Sequence, residues 1–413
     1  MSAQRRTFAV IWIANLLSAL GMMSFLPFFP SVVEGLGIED RSQVALWSGV
    51  CHGAAPFMAA LMGPFWGAFG DRYGRKLMVV RSMFALTIFV GLMSFARTPL
   101  ELFVLRLGQG MFSGFLPPSI TLVSVGVPSE RQGRLAGNLQ MAMAAGAIIG
   151  PLVGGLLAAR FGVGSLFLWV AMMSGAAALL VALVAEERRE ADETPLNENS
   201  ASFLEMLQGL GRDLQALWER PRMRAGLLLL FVTQFGIGAT NPQLELFVRD
   251  LSPGLDAAVH QSRTGLLFTA MAVANLVAMP LWGRWGDRIG HLRALIVASA
   301  ICSLALGVTV FVTTFAALLA TRVGLSLAGA AMGPCAFALA GSEAPAHRRG
   351  SSYGAVFSSR TLSLSLAAGM GGGLVSVLGI QGLFGAAALT SGSMSLFGWL
   401  ERRRQARALA EGT

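Results

Sequence analysis

The chain has 413 residues, of which 54% are hydrophobic and 13% are charged, and its mean hydropathy is +0.63. This composition excludes a soluble globular domain of this length and is typical of a protein that crosses a membrane many times. The net charge of +9 does not require a nucleic-acid partner, because Lys and Arg accumulate on the cytoplasmic side of membrane helices.

Twelve apolar stretches are long enough to cross a bilayer, which takes about 20 apolar residues per helix. These stretches, which we name crossings one to twelve, cover residues 7–30, 44–68, 77–96, 99–124, 134–157, 163–185, 223–247, 262–284, 292–312, 314–340, 351–376 and 380–400. We therefore predict an all-α membrane protein with 12 transmembrane helices. MSAQRR leads into crossing one without a small-residue cleavage site, which favours a spanning helix over a signal peptide.

The distribution of Lys and Arg predicts the orientation of the crossings. Most basic residues fall in the termini and in the loops that follow even-numbered crossings. Five fall on the opposite side, namely Arg41, Arg97, Arg160, Arg249 and Arg263. Because basic residues favour the cytoplasmic side, both termini are predicted to be cytoplasmic.

The only long polar stretch divides the crossings six and six. We predict a six-helix bundle at 1–185, a cytoplasmic linker at 186–222, a second six-helix bundle at 223–400 and a cytoplasmic tail at 401–413. Within the linker, Ser202 and Glu205 form a capping box ahead of apolar residues at helical spacing. This pattern predicts an amphipathic helix on the membrane surface.

The two halves of the chain repeat one pattern. Residues 216 apart match at Glu34 and Asp250, Gly67 and Gly283, Asp71 and Asp287, Arg72 and Arg288, Gly74 and Gly290, and Arg106 and Arg322. A shift of one more residue aligns PSERQGRLAG (128–137) with PAHRRGSSYG (345–354). Matches at a nearly constant offset indicate an internal duplication. Parallel six-helix halves are the plan of transporters that bind substrate between the halves and expose it alternately.

The loop between crossings two and three, WGAFGDRYGRK (66–76), combines glycines with a charge cluster. Its candidate residues are Gly67, Asp71, Arg72, Gly74, Arg75 and Lys76, with Asp287 and Arg288 in the second copy. The glycines allow close helix approach and a tight turn. The charges can pair in one conformation and separate in another, so we predict a conformational latch. A loop that only orients the helices would explain the basic residues but not the Gly and Asp positions.

Among the arginines inside predicted crossings, the candidate functional residues are Arg106 in crossing four, Arg322 in crossing ten and Arg360 in crossing eleven. A charge at the bilayer centre costs roughly 2.5 kcal/mol or more, so it indicates a functional site. The alternative for Arg106 is snorkelling to the interface. Arg360 is predicted to contact substrate or to close the central cavity, and the alternative is a structural hydrogen bond to backbone carbonyls.

Crossing five contains GAIIGPLVGG (146–155), in which half the residues disfavour a helix. Gly146, Gly150 and Gly154 recur every four residues, which lets a neighbouring helix approach until the backbones touch. Pro151 removes a backbone donor, so we predict a bend there. Gly155 directly follows Gly154. The equivalent stretch of the second half, AAGMGGG (367–373), has no proline.

In these motifs the chain resembles the major facilitator superfamily, whose best-known signature is the loop at 66–76. WGRWGDRIGHLR (282–293) is a weakened second copy of it. The resemblance covers nearly the whole chain, and it implies two pseudo-symmetric six-helix bundles and a rocker-switch mechanism. VLRLGQGMFSG (104–114) looks like the family's fourth-helix motif, which implies that Arg106 tunes a proton site and that Gln109 lines the cavity.

The ordered motif GxxxGPxxGG looks like the fifth-helix motif of drug/proton antiporters within this family. LWSG (46–49), PFWG (64–67) and GRKLM (74–78) are similar to the twelve-helix branch of bacterial inner membranes. The resemblance implies a monomeric inner-membrane exporter that moves small amphipathic compounds against protons. Such a protein uses the proton gradient, needs no cofactor and is not an enzyme.

Antiport requires a titratable group in the cavity, and the sequence offers few. The candidates are Glu245, Asp71, the repeat pair Glu34 and Asp250, and His52. Glu245 is the acid most easily buried, and burial of a carboxyl group favours its protonated form. The alternative for Glu245 is a pairing with Arg249 one turn later. His52 titrates in the right range, but packing or hydrogen bonding is its alternative role.

Polar side chains within the crossings are predicted to line the substrate cavity. They are Asn15, Gln109, Gln140, Gln234, Asn241, Gln243, Asn275 and Arg360. The 20 Met and 26 Phe residues suit adaptable contact with varied apolar substrates, and they suit packing against lipid as well. Without a firm intramembrane acid, neutral or zwitterionic substrates fit as well as cationic drugs.

Two other functions remain open at this point. The same fold suits a dedicated exporter of one metabolite, such as a siderophore, sugar or amino-acid derivative. A membrane receptor or enzyme is the third class, although the sequence has no nucleophile–base pair, metal-spaced cluster or phosphate loop. Cys51, Cys302 and Cys335 lie in separate crossings without ligand spacing, so neither a metal site nor a disulfide is predicted.

Overall fold

The computed structural model describes residues 3–125, 127, 129–187, 218–343 and 349–411. Over these residues the regular structure is entirely helical, which confirms the all-α prediction. The predicted amphipathic helix of the linker lies almost wholly outside them. In chain order, the helices of the first sequence half are Ala3–Phe25 and Phe29–Gly35 (crossing one), Arg41–Tyr73 (two), Arg75–Met93 (three), Pro99–Met111 and Leu116–Ser124 (four), Ser129–Phe161 (five) and Ser165–Val184 (six). Those of the second half are Pro221–Thr240 and Leu244–Asp250 (seven), Ala257–Ile289 (eight), His291–Thr309 (nine), Phe315–Gly329 and Met332–Glu343 (ten), and Arg349–Glu411 (eleven and twelve).

Within the described residues, ten helical segments are long and apolar enough to span a membrane. Two features make this number consistent with twelve crossings. Crossing four consists of two short helices, and neither of them is long enough alone. Crossings eleven and twelve run together in Arg349–Glu411, where Gly379 interrupts the helix with φ +68°.

Crossings one, four, seven and ten are interrupted helices, whereas the hydropathy pattern predicts continuous stretches. Short 3₁₀ turns at Leu26–Phe28 and Asn241–Gln243 break crossings one and seven, and each contains a proline. Proline lacks a backbone N–H and clashes with the preceding turn, so the helix restarts after it. Such breaks survive in a membrane because neighbouring helices satisfy the freed backbone groups.

The internal duplication is visible in matching hydrogen bonds. Trp66 donates through Nε1 to the carbonyl oxygen of Met111 at 2.6 Å. In the second half Trp282 donates to the carbonyl oxygen of Leu327 at 2.7 Å. Both donors and both acceptors are 216 residues apart. Each indole thus satisfies a carbonyl close to the break in crossing four or crossing ten.

The described chain forms two compact units. Unit 1 comprises the described residues within Met1–Glu39, Ala54–Phe203 and Leu255–Thr269, and unit 2 comprises those within Asp40–Gly53, Leu204–Gly254 and Ala270–Thr413. Each unit combines most of one sequence half with the first part of one crossing from the other half. The first part of crossing two belongs to unit 2, and the first part of crossing eight belongs to unit 1.

Candidate functional site

The glycines of crossing five form a smooth face against crossing one. A Cβ atom on Gly146 would lie 2.6 Å from Cβ of Ala19, and one on Gly150 would lie 2.7 Å from the carbonyl oxygen of Leu20. Gly154 meets the backbone of Ser24 in the same way. These separations are far below normal van der Waals contact, so the two helices can pack this closely only with glycine here.

The same motif also contacts crossing eight, within unit 1. A Cβ atom on Gly155 would lie 2.7 Å from the carbonyl oxygen of Gln261, and one on Gly265 would lie 2.5 Å from that of Pro151. We name this contact the five–eight junction. The hydroxyl of Thr269 extends it by donating to the carbonyl oxygen of Ile148 at 2.8 Å.

An equivalent contact joins crossings two and eleven, within unit 2. A Cβ atom on Gly49 would lie 3.1 Å from the carbonyl carbon of Ala368, and one on Gly372 would lie 2.9 Å from Cα of Leu46. We name it the two–eleven junction. Its residues match those of the five–eight junction pair by pair: Ala45 with Gln261, Gly49 with Gly265, Gly53 with Thr269, Ser365 with Ile148, Ala368 with Pro151, and Gly372 with Gly155.

Arg106 lies inside unit 1, and only 1% of it is exposed. Its Nη1 donates to Oε1 of Gln109 at 2.5 Å. The guanidinium carbon lies 5.6 Å and 5.2 Å from the ring centroids of Phe25 and Phe29. The cation is therefore held by an amide and two aromatic rings of the protein interior, which favours a role within the bundle over snorkelling.

Arg322, the repeat mate of Arg106, is fully buried inside unit 2. Its Nη1 donates to Oγ1 of Thr240 at 3.1 Å, and the guanidinium lies 4.6 Å from the ring centroid of Phe384. Its Nε and Nη2 have no hydrogen-bond partner among the described residues. The position equivalent to Gln109 is occupied by Leu325, which cannot accept a hydrogen bond.

Several of the predicted cavity amides have a hydrogen-bond partner at one side-chain atom and none among the described residues at the other. Asn15 donates through Nδ2 to Ile11 and Ser119, and Gln243 donates through Nε2 to the carbonyl oxygen of Ala45 at 3.2 Å. Four buried amide atoms have no partner among the described residues: Oδ1 of Asn15, Nε2 of Gln109, Oδ1 of Asn241 and Oε1 of Gln243. Buried polar atoms without a protein partner are candidates for contact with water or ligand.

The remaining cavity candidates differ in exposure. Gln234 is buried, Asn275 is partly buried and Gln140 is exposed. Arg360 is partly buried, and its Nη1 lies 3.7 Å from the Cβ position of Gly333 in crossing ten. Its Nε has no partner within the described part of unit 2.

The candidate proton carriers lie in unlike surroundings. Glu245 is fully buried, and its Oε1 lies 2.9 Å from Nη2 of Arg249, so the pairing considered from the sequence is present. Glu34 and His52 are partly buried. The side chain of Asp71 lies outside the described set. Glu245 is thus the candidate carboxylate that combines complete burial with a specific cationic partner.

At the predicted latch, the structure describes the turn but not the full charge cluster. Gly74 has φ +106°, which glycine adopts without strain. The surroundings of Gly67 and the side chains of Asp71 and Arg72 fall outside the described set, so the latch role of these residues stays a prediction. Arg75 and Lys76 are partly buried.

The second copy of the loop is described in full. Gly290 has φ +93°, matching Gly74 in the first copy. Asp287 is largely exposed, and its Oδ1 lies 3.5 Å from Nε2 of His291. Arg288 is exposed. The backbone turn is therefore shared by both copies, while the charges of the second copy face outward.

Glu187 was missed by sequence reasoning. Its Oε1 accepts from the backbone N–H of Arg75 at 2.5 Å, at the start of crossing three. A carboxylate at a helix N-terminus satisfies a free N–H and complements the helix dipole. The available signal was the acidic pair directly after crossing six, on the side where crossing three begins. Glu186 forms an ion pair with Arg6 there.

Arg81 was also missed, although it lies inside predicted crossing three. Its guanidinium stacks on the ring of Trp66, with the guanidinium carbon 3.4 Å from the centroid. None of its three guanidinium nitrogens has a hydrogen-bond partner among the described residues. The signal was the position itself, since a charge within a crossing indicates a functional or interfacial role.

Comparison with known proteins agrees with the two-fold repeat. The family profile described as Major Facilitator Superfamily matches residues 11–260 and also residues 226–412. The chain is 31% identical over 376 residues to an uncharacterised MFS-type transporter, YuxJ, of Bacillus subtilis, covering 91% of this chain and 93% of that protein. It is 30% identical over 328 residues to the multidrug resistance protein MdtG of Proteus mirabilis, covering 79% and 78%.

A solved structure with the same fold is that of the nucleoside transporter NupG. The TM-score is 0.76 over 97% of this chain and 99% of that one. Sequence identity is 15%, so this likeness concerns the fold alone.

Proposed function

Because the chain belongs to the Major Facilitator Superfamily, we propose that it is a secondary transporter that exports small amphipathic compounds, drugs among them, in exchange for protons. The multidrug resistance protein similar to it supports this choice of substrate class. The further expectations are a monomer in the bacterial inner membrane with both termini in the cytoplasm. The alternative is a dedicated exporter of one metabolite.

The observation that carries the proposal is the five–eight junction. It joins a crossing of the first sequence half to a crossing of the second half through backbone atoms and glycines. Two surfaces that meet mainly through backbone atoms and glycines can separate and close again with little repacking of side chains, which alternating access requires. The junction also contains Pro151, the residue that distinguishes the antiporter-like motif from its second-half equivalent.

Proton coupling is proposed to act through Glu245. In its charged form the carboxylate pairs with Arg249, four residues later on the same short helix. Protonation removes that pairing, and the balance between two conformations then shifts by the difference in the free energy of the contact between them. Arg106 is proposed to tune the proton site, and Asp71, Glu34 and His52 remain the other candidates.

The latch is proposed to involve the charged loop at 66–76 and its copy in the second half. Ion pairs that form in one conformation are replaced by contacts with water in the other. They therefore favour one of the two conformations without locking the protein in it. We expect Asp71→Asn to abolish transport while leaving the protein folded and inserted. Undiminished flux in this variant would remove the latch from the mechanism.

The test of the function uses purified protein in liposomes with an imposed pH gradient. Efflux of a panel of dyes and drugs is followed together with internal pH. Flux of several unrelated compounds with opposing proton movement is the expected result. Flux of one compound alone would favour the dedicated exporter, flux without proton movement would favour a facilitator, and binding without any flux would favour a receptor.

Glu245→Gln separates coupling from transport in the same assay. The amide cannot release a proton, so we expect flux to continue down a substrate gradient but to lose its response to the pH gradient. Glu34→Gln is the comparison variant at another carboxylate candidate. Full coupling in Glu245→Gln would exclude Glu245 as the proton carrier and point to Asp71, Glu34 or His52.

A further inference from the structure

The two buried arginines of the repeat differ in the residue three positions later on the same helix. Arg106 bonds the amide oxygen of Gln109, three residues later on the same helix. At Arg322 the corresponding residue is Leu325, which is itself buried. Thr240 supplies one acceptor to Nη1, and the guanidinium otherwise faces the ring of Phe384. The second half has therefore kept the buried cation and lost its amide partner.

A fully buried guanidinium with open donors is a costly feature unless something else binds them. Burial removes the water that would otherwise hydrogen-bond Nε and Nη2. No carboxylate among the described residues pairs with Arg322, and Glu245, in the same unit, is paired with Arg249. Leu325 shows that the chain does not supply the acceptor found at the equivalent position of the first half.

The two N–H donors of Arg322 that have no described partner have the geometry to bind one class of ligand. Nε–H and Nη2–H lie on the same edge of the planar guanidinium and point in parallel. Such an edge matches the two oxygens of a carboxylate, which accept both hydrogen bonds at once. Thr240 holds the opposite side of the group through Nη1, and the ring of Phe384 provides an apolar wall next to it.

We propose that Arg322 is a substrate-binding residue that takes the carboxylate of an amphipathic substrate on its Nε–Nη2 edge. The inference rests on the proposed export function and narrows its substrate class to compounds with a carboxylate next to an apolar body, zwitterions included. The substrate anion provides the countercharge that this buried cation lacks within the described protein.

The test compares ligands that share one ring system and differ in their head group. Affinities of 2-naphthoate and 2-naphthamide are measured by equilibrium dialysis against purified full-length protein in lipid nanodiscs, without any gradient. For the wild-type protein we expect naphthoate to bind about tenfold more tightly than the amide, because only the carboxylate offers two charged acceptors to the guanidinium edge.

Leu325→Gln is the decisive variant. The new amide offers a protein acceptor one turn from Arg322 that competes with the carboxylate for the free guanidinium donors, so the naphthoate preference should fall to about threefold or less. Leu325→Met is the control of similar size without such an acceptor, and it should keep the preference. Arg322→Lys keeps the charge but not the two-donor edge, and it should lose most of the preference.

Three outcomes overturn the proposal: equal affinity of the two ligands in the wild type, no binding of either, or a preference that Leu325→Gln leaves intact. A preference seen only in Glu245→Gln also overturns it, because the edge would then belong to the carboxylate of Glu245. Export of the neutral dye Nile red in the liposome assay tests the function separately. Selective binding without flux would fail the export function alone, and dye flux without selective binding would fail this inference alone.

Discussion

The five–eight and two–eleven junctions have the same backbone contact and different chemistry around it. Both place a pair of glycines against carbonyl groups of the facing helix. They differ at four matched pairs: Pro151 and Ala368, Thr269 and Gly53, Ile148 and Ser365, and Gln261 and Ala45. The glycines are thus the shared requirement for close approach, while the proline and the threonine belong to one junction only.

The proline and the threonine have a common physical effect. Pro151 has no backbone N–H, so it leaves the carbonyl of Ala147 without its usual donor within the helix. One residue later, the carbonyl of Ile148 accepts from the hydroxyl of Thr269. Backbone acceptors of crossing five are therefore directed toward crossing eight. Ala368 keeps its N–H, so crossing eleven has no such opening.

The largest expected effect comes from filling the glycine contacts. In Gly155→Ala and Gly265→Ala the new methyl group would overlap a backbone oxygen, and overpacking of this kind costs about 1–3 kcal/mol. Export in the liposome assay should fall roughly tenfold or more. Gly137→Ala in the same crossing is the control, because no atom lies within 4 Å of its Cβ position.

The same substitutions in the two–eleven junction test whether the contact is shared. Gly49→Ala and Gly372→Ala meet equally close backbone atoms, so their loss of export should match that of the five–eight variants within about threefold. Normal export in Gly49→Ala and Gly372→Ala, together with loss of export in Gly155→Ala and Gly265→Ala, would show that transport requires only the five–eight junction to close.

The next effect concerns the proline alone. Pro151→Ala should restore an ordinary helix and make the five–eight junction resemble its counterpart. We expect export to fall a few-fold and proton leak without substrate to rise, measured as internal pH in liposomes. In the converse variant, Ala368→Pro, loss of a helix-interior N–H should lower stability by about 3 kcal/mol. An unchanged leak in Pro151→Ala would show that Pro151 does not limit proton leak in the absence of substrate.

The smallest effect is the loss of one hydrogen bond. Thr269→Val removes the donor to Ile148 while keeping the shape, which should cost about 1 kcal/mol and lower the thermal midpoint by a few degrees. Thr264→Val is the control in the same crossing, because Oγ1 of Thr264 is buried without a partner among the described residues. A larger loss in the control would show that the junction hydroxyl has no special role.

The sequence was sufficient to predict the helices and the duplicated plan, but not the contacts between residues that are distant in the chain. Hydropathy and the repeat offset predict the helices and the duplicated plan, because both depend on local composition. The packing of Gly155 on Gln261 was not predictable, since a glycine spacing shows that a helix approaches but not which one. Glu187 was missed for the same reason, because its partner lies far away in sequence.

The candidate site was also predictable only in part, because its residues could be identified from the sequence but their surroundings could not. The positions of Arg106 and Arg322 are readable from the sequence, since a charge inside an apolar stretch is conspicuous. Their different environments depend on Gln109 and Leu325, and the importance of that pair emerges only when the guanidinium donors are counted in three dimensions. The latch residues Asp71 and Arg72 stay predictions from the motif.

The indole bonds of Trp66 and Trp282 have a spectroscopic consequence. Each ring is tied to a carbonyl beside the break in crossing four or crossing ten, and indole emission shifts when its N–H partner or its solvation changes. The chain has eight tryptophans, so replacing the other six by phenylalanine would leave one intrinsic fluorophore in each half. Removing either of those two in turn would let the movements of the two repeats be recorded separately, without any attached label.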